Sequence, residues 1–257
     1  MLGAVTPTLY VIPGSHPCAA VRAALELKGI GYDQVDFLPV AHRLLGRLRY
    51  GARTVPGLRL DSGERLAGSR AIMRRLDELA PDPPLYPAPG TEARKLVERA
   101  EEWGDEVLQP LVRRLVWAVL LRAPRSMESY SEGADLPLPA AIARPGLPLV
   151  ARASARLNQV SDASSRSDLL ALGGHLDRVD RWVADGLLGG AQPNAADLQI
   201  GASLQLALTL DDLRPLIDGR PSARLAAFLV PIPGHAPAVL PAGWLPRAPS
   251  RADPAAS

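Results

Sequence analysis

Cysteine, lysine, histidine and long apolar runs are all scarce in these 257 residues, and each scarcity closes off a class of function. Cys18 is the only cysteine, so no intrachain disulfide and no two-thiol exchange is available; a reducing, cytoplasmic setting is expected. Lys28 and Lys95 are the only lysines. With 29 basic against 27 acidic residues the net charge is +2, with no basic block, and nucleic acid is not an expected partner. The four histidines (His16, His42, His175, His235) have no ligand spacing and no second cysteine to join them, so no metal site is expected. The longest apolar-leaning stretch, Val107 to Leu121, is interrupted by Pro110, Arg113 and Arg114, too short and too charged for a bilayer; no membrane partner is expected. The opening MLGAVTPTLY has neither a basic n-region nor an apolar run, and no signal peptide is expected.

What is present begins with Thr8 to Gly29. Leu9 to Ile12 reads as a strand, Pro13-Gly14 as a break, and Ser15 to Pro17 as the opening of a helix with Val21, Ala24 and Leu25 on one side. Ser15, His16 and Cys18 therefore stand at a helix amino terminus, where unpaired N–H groups and the dipole favour an anion such as a thiolate. The spacing then predicts a strand over Gly31–Phe37, a short basic helix over Ala41–Leu48, and strands Leu58–Asp61 and Glu64–Ala67 about a Ser62-Gly63 turn. A helix over Ser69–Leu79 follows, with Ile72, Met73, Leu76 and Leu79 on one face. The order β-α-β-α-β-β-α is that of a small α/β domain, residues 7–80.

Residues 81–90 (PDPPLYPAPG) form a linker by composition, and beyond them strands are not expected. Residues 91–230 read as helical: a long helix over Glu92–Leu121 bearing Leu96, Ala100, Trp103, Val107 and Leu111, with Trp117 continuing its apolar side; a proline-interrupted insert near 122–165 ending in a helix over Val150–Val160; a helix marked by Leu169, Leu172, Leu176, Val179 and Val183; and an almost wholly apolar one over Leu198–Leu210. Asn194 and Asp197 form an Asn-x-x-Asp structural cap before the last of these. Trp103, Trp117 and Trp182 are expected in the core. Residues 231–257 are expected to be poorly ordered apart from an anchor at Trp244-Leu245.

An α/β domain, a proline-rich linker and a helical domain is the plan of the glutathione S-transferase superfamily, and four stretches resemble it: Ser15–Gly29, Thr54-Val55-Pro56, Leu66–Ile72 and Gly189–Asp197. The resemblance implies a thioredoxin-like N-terminal domain followed by an all-helical C-terminal domain, no permanent cofactor, glutathione or another small thiol as cosubstrate, a small apolar electrophile as second partner, and a homodimer. It implies that Ser15, seven residues before Arg22, is the catalytic serine that holds the thiol sulfur as thiolate; capping its helix is the other reading. It implies that the Val55 backbone meets the thiol ligand, that the Val55–Pro56 bond is cis, and that Ser69 binds the ligand's carboxylate. Cys18 is read as a buried small residue or, if exposed, as a redox thiol; Tyr10 as structural, one residue out of step with the family's tyrosine; His16 as an exposed loop residue. Gly68 departs from the family, which usually carries an acidic or amide residue there. The expected activity is transfer of a thiol to an electrophile. The alternatives are a non-catalytic ligand-binding or regulatory protein of the same fold and a Cys18-dependent thiol-disulfide reductase. The insert is expected to cover or reshape the second-substrate pocket.

Overall fold

The computed structural model describes residues 6–135 and 144–245. Its first part runs β1 (Thr8–Val11), α1 (His16–Leu27), β2 (Asp33–Asp36), α2 (His42–Tyr50), β3 (Gly57–Arg59), β4 (Arg65–Ala67) and α3 (Ser69–Leu79), the expected order. The sheet is ordered β2-β1-β3-β4, with β1 parallel to β2 and antiparallel to β3, and β3 antiparallel to β4. Leu9 and Leu58 from the sheet, Leu25 from α1 and Ile72 and Leu76 from α3 are fully buried together. On the other side Tyr10 packs against Phe37 and Tyr50, with ring centroids 5.6 and 5.2 Å away. This is a thioredoxin-like domain, with Tyr10 in its structural layer.

Helices fill the remainder: α4 (Glu92–Trp103), a π turn (Gly104–Leu108), α5 (Gln109–Arg122), α6 (Met127–Tyr130), α7 (Leu147–Leu157), α8 (Asp162–Ala184), α9 (Ala195–Leu208) and α10 (Arg214–Ile217). The helix over Glu92–Leu121 is thus interrupted, and its inward stripe differs from the expected one. Val97, Ala100, Leu108, Leu111 and Leu115 are buried, whereas Leu96 and Val107 are exposed. Val107 falls inside the π turn, where the 3.6-residue repeat is broken; Leu96, before it, yields the inward place to its neighbour Val97, and Ala100 and Leu111 lie inside as expected. Leu79, expected inside, is also exposed. Trp103 and Trp182 are half-buried, in edge-to-face contact at 5.1 Å, rather than central.

Polar groups hold the two parts together. The Lys28 ammonium, at the end of α1, donates to Asp77 and to the Ala80 and Pro83 carbonyls at 2.6 Å each, which fixes the start of the linker. Tyr86 Oη donates to the buried Glu101 carboxylate at 2.7 Å, and the Ala195 amide donates to the Leu85 carbonyl at 2.9 Å. α9, buried along nearly its whole length, begins with both capping bonds: Asn194 Oδ1 accepts from the Asp197 amide and Asp197 Oδ2 from the Asn194 amide. Asp197 Oδ1 also accepts from the Gly189 amide at 2.7 Å.

The chain after Pro231 corrects the expectation of poor order as far as Leu245. Ile232, Ala236, Leu240 and Trp244 are buried. The Thr209 carbonyl accepts from the Ala236 amide, and the Asp212 carboxylate accepts from the amides of Val239 and Leu240. Few donors need partners in so proline-rich a segment, and the carboxyl end of α9 and the turn after it supply acceptors for these. Trp244 is flanked by the guanidinium groups of Arg122 and Arg166 at 5.0 and 4.8 Å. Residues 246–257 of the expected tail, and Pro137 and Pro139 of the insert, lie outside the described residues.

Candidate functional site

The chain turns sharply between β1 and α1: Gly14 takes φ +74°, and the Ser15 amide donates to the Ile12 carbonyl at 3.1 Å. Ser15 occupies the position before the first turn of α1, in extended conformation, yet its side chain makes no capping bond. The capping reading of Ser15 is therefore not what the geometry shows; Ser15 lines a cavity of about 270 Å³, and its side chain also interacts with the buried Cys18 thiol. Val55 lies on the same cavity wall, and the Val55–Pro56 bond is cis.

Pro56 and Ser69 are not brought to that wall. Pro56 is buried, its carbonyl accepting from the Gly68 amide at 2.9 Å, and Ser69 is buried at the amino end of α3. Gly68 has φ +86°, and a Cβ there would meet no atom within 4 Å. The space of the side chain absent at Gly68 is left open, with no neighbour filling it.

Two residues near Ser15 differ from expectation. His16 is buried, not an exposed loop residue: Nδ1 lies 3.2 Å from Ser203 Oγ on α9, and Nε2 has no partner. Burial, helped by the charge of Arg113, holds its pKa well below the usual value, so the ring is neutral. Cys18 is buried on the inner face of α1, and burial pushes its thiol up to about 11. The exposed, acidic thiol that a redox role needs is therefore absent, and the reductase alternative falls with it.

The opposite wall is built by α5 and the insert. Arg113, Val116, Trp117 and Leu120 project from α5; Met127, Tyr130, Ser154 and Leu157 come from α6 and α7. The insert thus shapes the cavity directly, and Trp117 lines it instead of lying in the core. The Tyr130 ring lies against Gly14 and Gly234, where a Cβ would come within 2.9 and 2.3 Å of it; both glycines also have positive φ. Tyr130 Oη shares a hydrogen bond of 2.7 Å with Thr209 Oγ1. Arg113, Tyr130, Arg43 and Arg53 are cavity residues that the sequence reading did not single out. The one local signal was Arg113 itself, a charge set among the apolar residues of its helix.

Residues 9–84 match the family model described as Glutathione S-transferase, N-terminal domain. No curated protein matches the chain. Among solved structures, a glutathione S-transferase domain-containing protein from Marinobacter aquaeolei VT8 is 21% identical, with 86% of this chain and 94% of that one covered and a TM-score of 0.60. A glutathione S-transferase from Sinorhizobium meliloti 1021 is 19% identical, covering 87% and 93%, at 0.58. A sphingomonad glutathione S-transferase complexed with glutathione is 20% identical, covering 77% and 80%, at 0.50. The fold is common to all of these, and residues 9–84 match the N-terminal domain of the glutathione S-transferase family.

Proposed function

We propose that the protein transfers glutathione, or a similar small thiol, to an electrophile, with Ser15 holding the thiol sulfur as thiolate. The observation that carries this is the place of Ser15, without a capping bond at the amino end of α1 and lining the cavity beside Val55. A hydrogen bond from Ser15 to a sulfur anion contributes about 1.5–3 kcal/mol, which lowers a thiol pKa by roughly one to two units. The thiol proton leaves to solvent, the sulfur lone pair forms a bond to the electrophilic carbon, and the leaving group departs with its bonding pair. The Val55 backbone would receive the ligand's amide, and Ser69, at the start of α3, the carboxylate. Exposed Arg43 and Arg53 at the cavity mouth would attract the ligand's other carboxylate. A homodimer is part of the proposal and is tested by sedimentation.

The open space at Gly68 favours one second reading, a non-catalytic binding protein of this fold. Calorimetric titration with glutathione separates the two. Binding weakened by Ser69→Ala, and kept by Ser15→Ala with the bound thiol's pKa raised by about one to two units, supports the transferase. No binding by glutathione or any other small thiol tried overturns it.

A further inference from the structure

Among the described residues Arg113 is a cation with no contact ion pair, and it lines a cavity. It lines the same cavity as Ser15 from the α5 side, partly buried, and no Asp or Glu is among the lining residues. Among the described residues it forms no ion pair. Its one side-chain hydrogen bond goes to Gln109 Oε1, and Gln109 in turn donates to Asp105 at 2.9 Å; the Asp105 charge acts on Arg113 without a direct hydrogen bond to it. Its neighbour Arg114 shows the contrast: two bonds of 2.7 Å to Asp168 settle that charge. Removing a guanidinium from water without an anion is costly, and Arg113 has further N–H donors that Gln109 does not use.

His16, almost wholly buried, adds an unpartnered group from α1, on the facing wall of the same cavity. Two acceptors compete for the Ser203 hydroxyl proton: His16 Nδ1 at 3.2 Å and the Gln199 carbonyl at 3.4 Å. Donation to Nδ1 leaves the proton of the neutral ring on Nε2, a donor without an acceptor. The exposed arginines at the mouth lie on the thioredoxin-like side, where the thiol would sit. Arg113 lies on the helical side, among Val116, Trp117 and Leu120.

We infer that the second substrate carries a carboxylate or an equivalent anionic group, held by the Arg113 guanidinium and the His16 Nε2–H, with its apolar part against Trp117, Val116 and Leu120. This rests on the thiol-transfer reading for the word substrate, though not for the anion site itself. It replaces the wholly apolar electrophile expected from the sequence.

The test uses 4-chloro-3-nitrobenzoate and its methyl ester, titrated calorimetrically into the full chain without any thiol. The acid is expected to bind about ten-fold or more tightly than the ester. Arg113→Gln should remove that preference while leaving the ester's affinity unchanged, and Arg113→Lys should restore part of it. The wild-type comparison of acid with ester needs no variant, so a poorly folding Arg113→Gln protein does not rescue the idea. Equal affinity for the two compounds overturns the anion site, as does an Arg113→Gln effect on glutathione binding alone. Adding glutathione then separates the two proposals. Acid bound through Arg113 but never conjugated sinks only the transferase reading; the ester conjugated while the acid is excluded sinks only this one.

Discussion

The two walls of the cavity are made by different means. On the thioredoxin-like side the site is built around two turns, the start of α1 with Ser15 and the cis Val55–Pro56 turn, with polar side chains such as Arg43 and Arg53 beside them. On the helical side it is mostly side chain, from Arg113 and Trp117 on α5 to Tyr130 and Leu157 in the insert. Backbone groups are positioned by the topology, whatever side chains the chain carries, whereas a side-chain wall changes with every substitution. The first wall lies within residues 9–84, which match the family model, and the second lies outside them. Under the proposed function, the first wall would hold the thiol and the second its partner.

That contrast can be broken hardest at α9, against which both sides pack. Asp197 is fully buried and receives amides from both Asn194 and Gly189, so Asp197→Ala leaves two donors without acceptors. A loss of about 2–4 kcal/mol in chemical denaturation is expected, large enough to lower occupancy of the whole site. Near-unchanged stability would mean the cap is not what holds α9 in place.

The seam between the walls gives a smaller effect with a definite pH sign. Burial raises the pKa of Glu101 to about 7, against the opposing bonds and charges of Tyr86, Arg74 and Arg70. A carboxyl that keeps its proton more tightly when folded adds stability that is full below its ordinary value of about 4.5, declines as pH rises, and is gone above about 7. The expected decline is on the order of 1–3 kcal/mol across that window. Glu101→Gln should flatten this part of the profile. A stability curve that rises from pH 5 to 7 in the wild type, and does so unchanged in Glu101→Gln, would contradict it.

The smallest effect sharpens the comparison by elimination. Cys18→Ala should leave thiol transfer unchanged, with native Cys18 resisting alkylation at pH 8 until the protein unfolds, because burial holds the thiol near 11. Rapid labelling of the native protein would reopen the redox reading.

How much of this was legible in the chain follows from how local each cause is. The Asn194/Asp197 cap and the helix Ser69–Leu79 are visible because both partners of every bond lie within a few residues. The cis Val55–Pro56 turn was legible through resemblance. The inward stripe of Glu92–Leu121 was legible only in part: Ala100 and Leu111 lie inside, but Val107 falls in the π turn at Gly104–Leu108, where a repeat count that assumes a constant pitch fails. Order at Ile232–Trp244 was hidden because its acceptors, Thr209 and Asp212, come from a distant part of the chain. Arg113 was read only as a charge that breaks an apolar run; that it lies in a cavity without a carboxylate depends on elements far away in sequence. Ser15 was found as a residue, but its missing capping bond could only be seen in three dimensions.

The position of Tyr130 bears on what can be inherited piecemeal. Its ring is wedged between Gly14, one residue before Ser15, and Gly234 in the closing segment, while its hydroxyl reaches Thr209 at the end of α9. Three stretches of the gene must therefore agree about one aromatic ring. A graft of residues 9–84 onto another helical body would bring the serine and the cis turn with it, and would leave behind the surface against which Gly14 is shaped. Recombination that respects the domain boundary would still cut through the site.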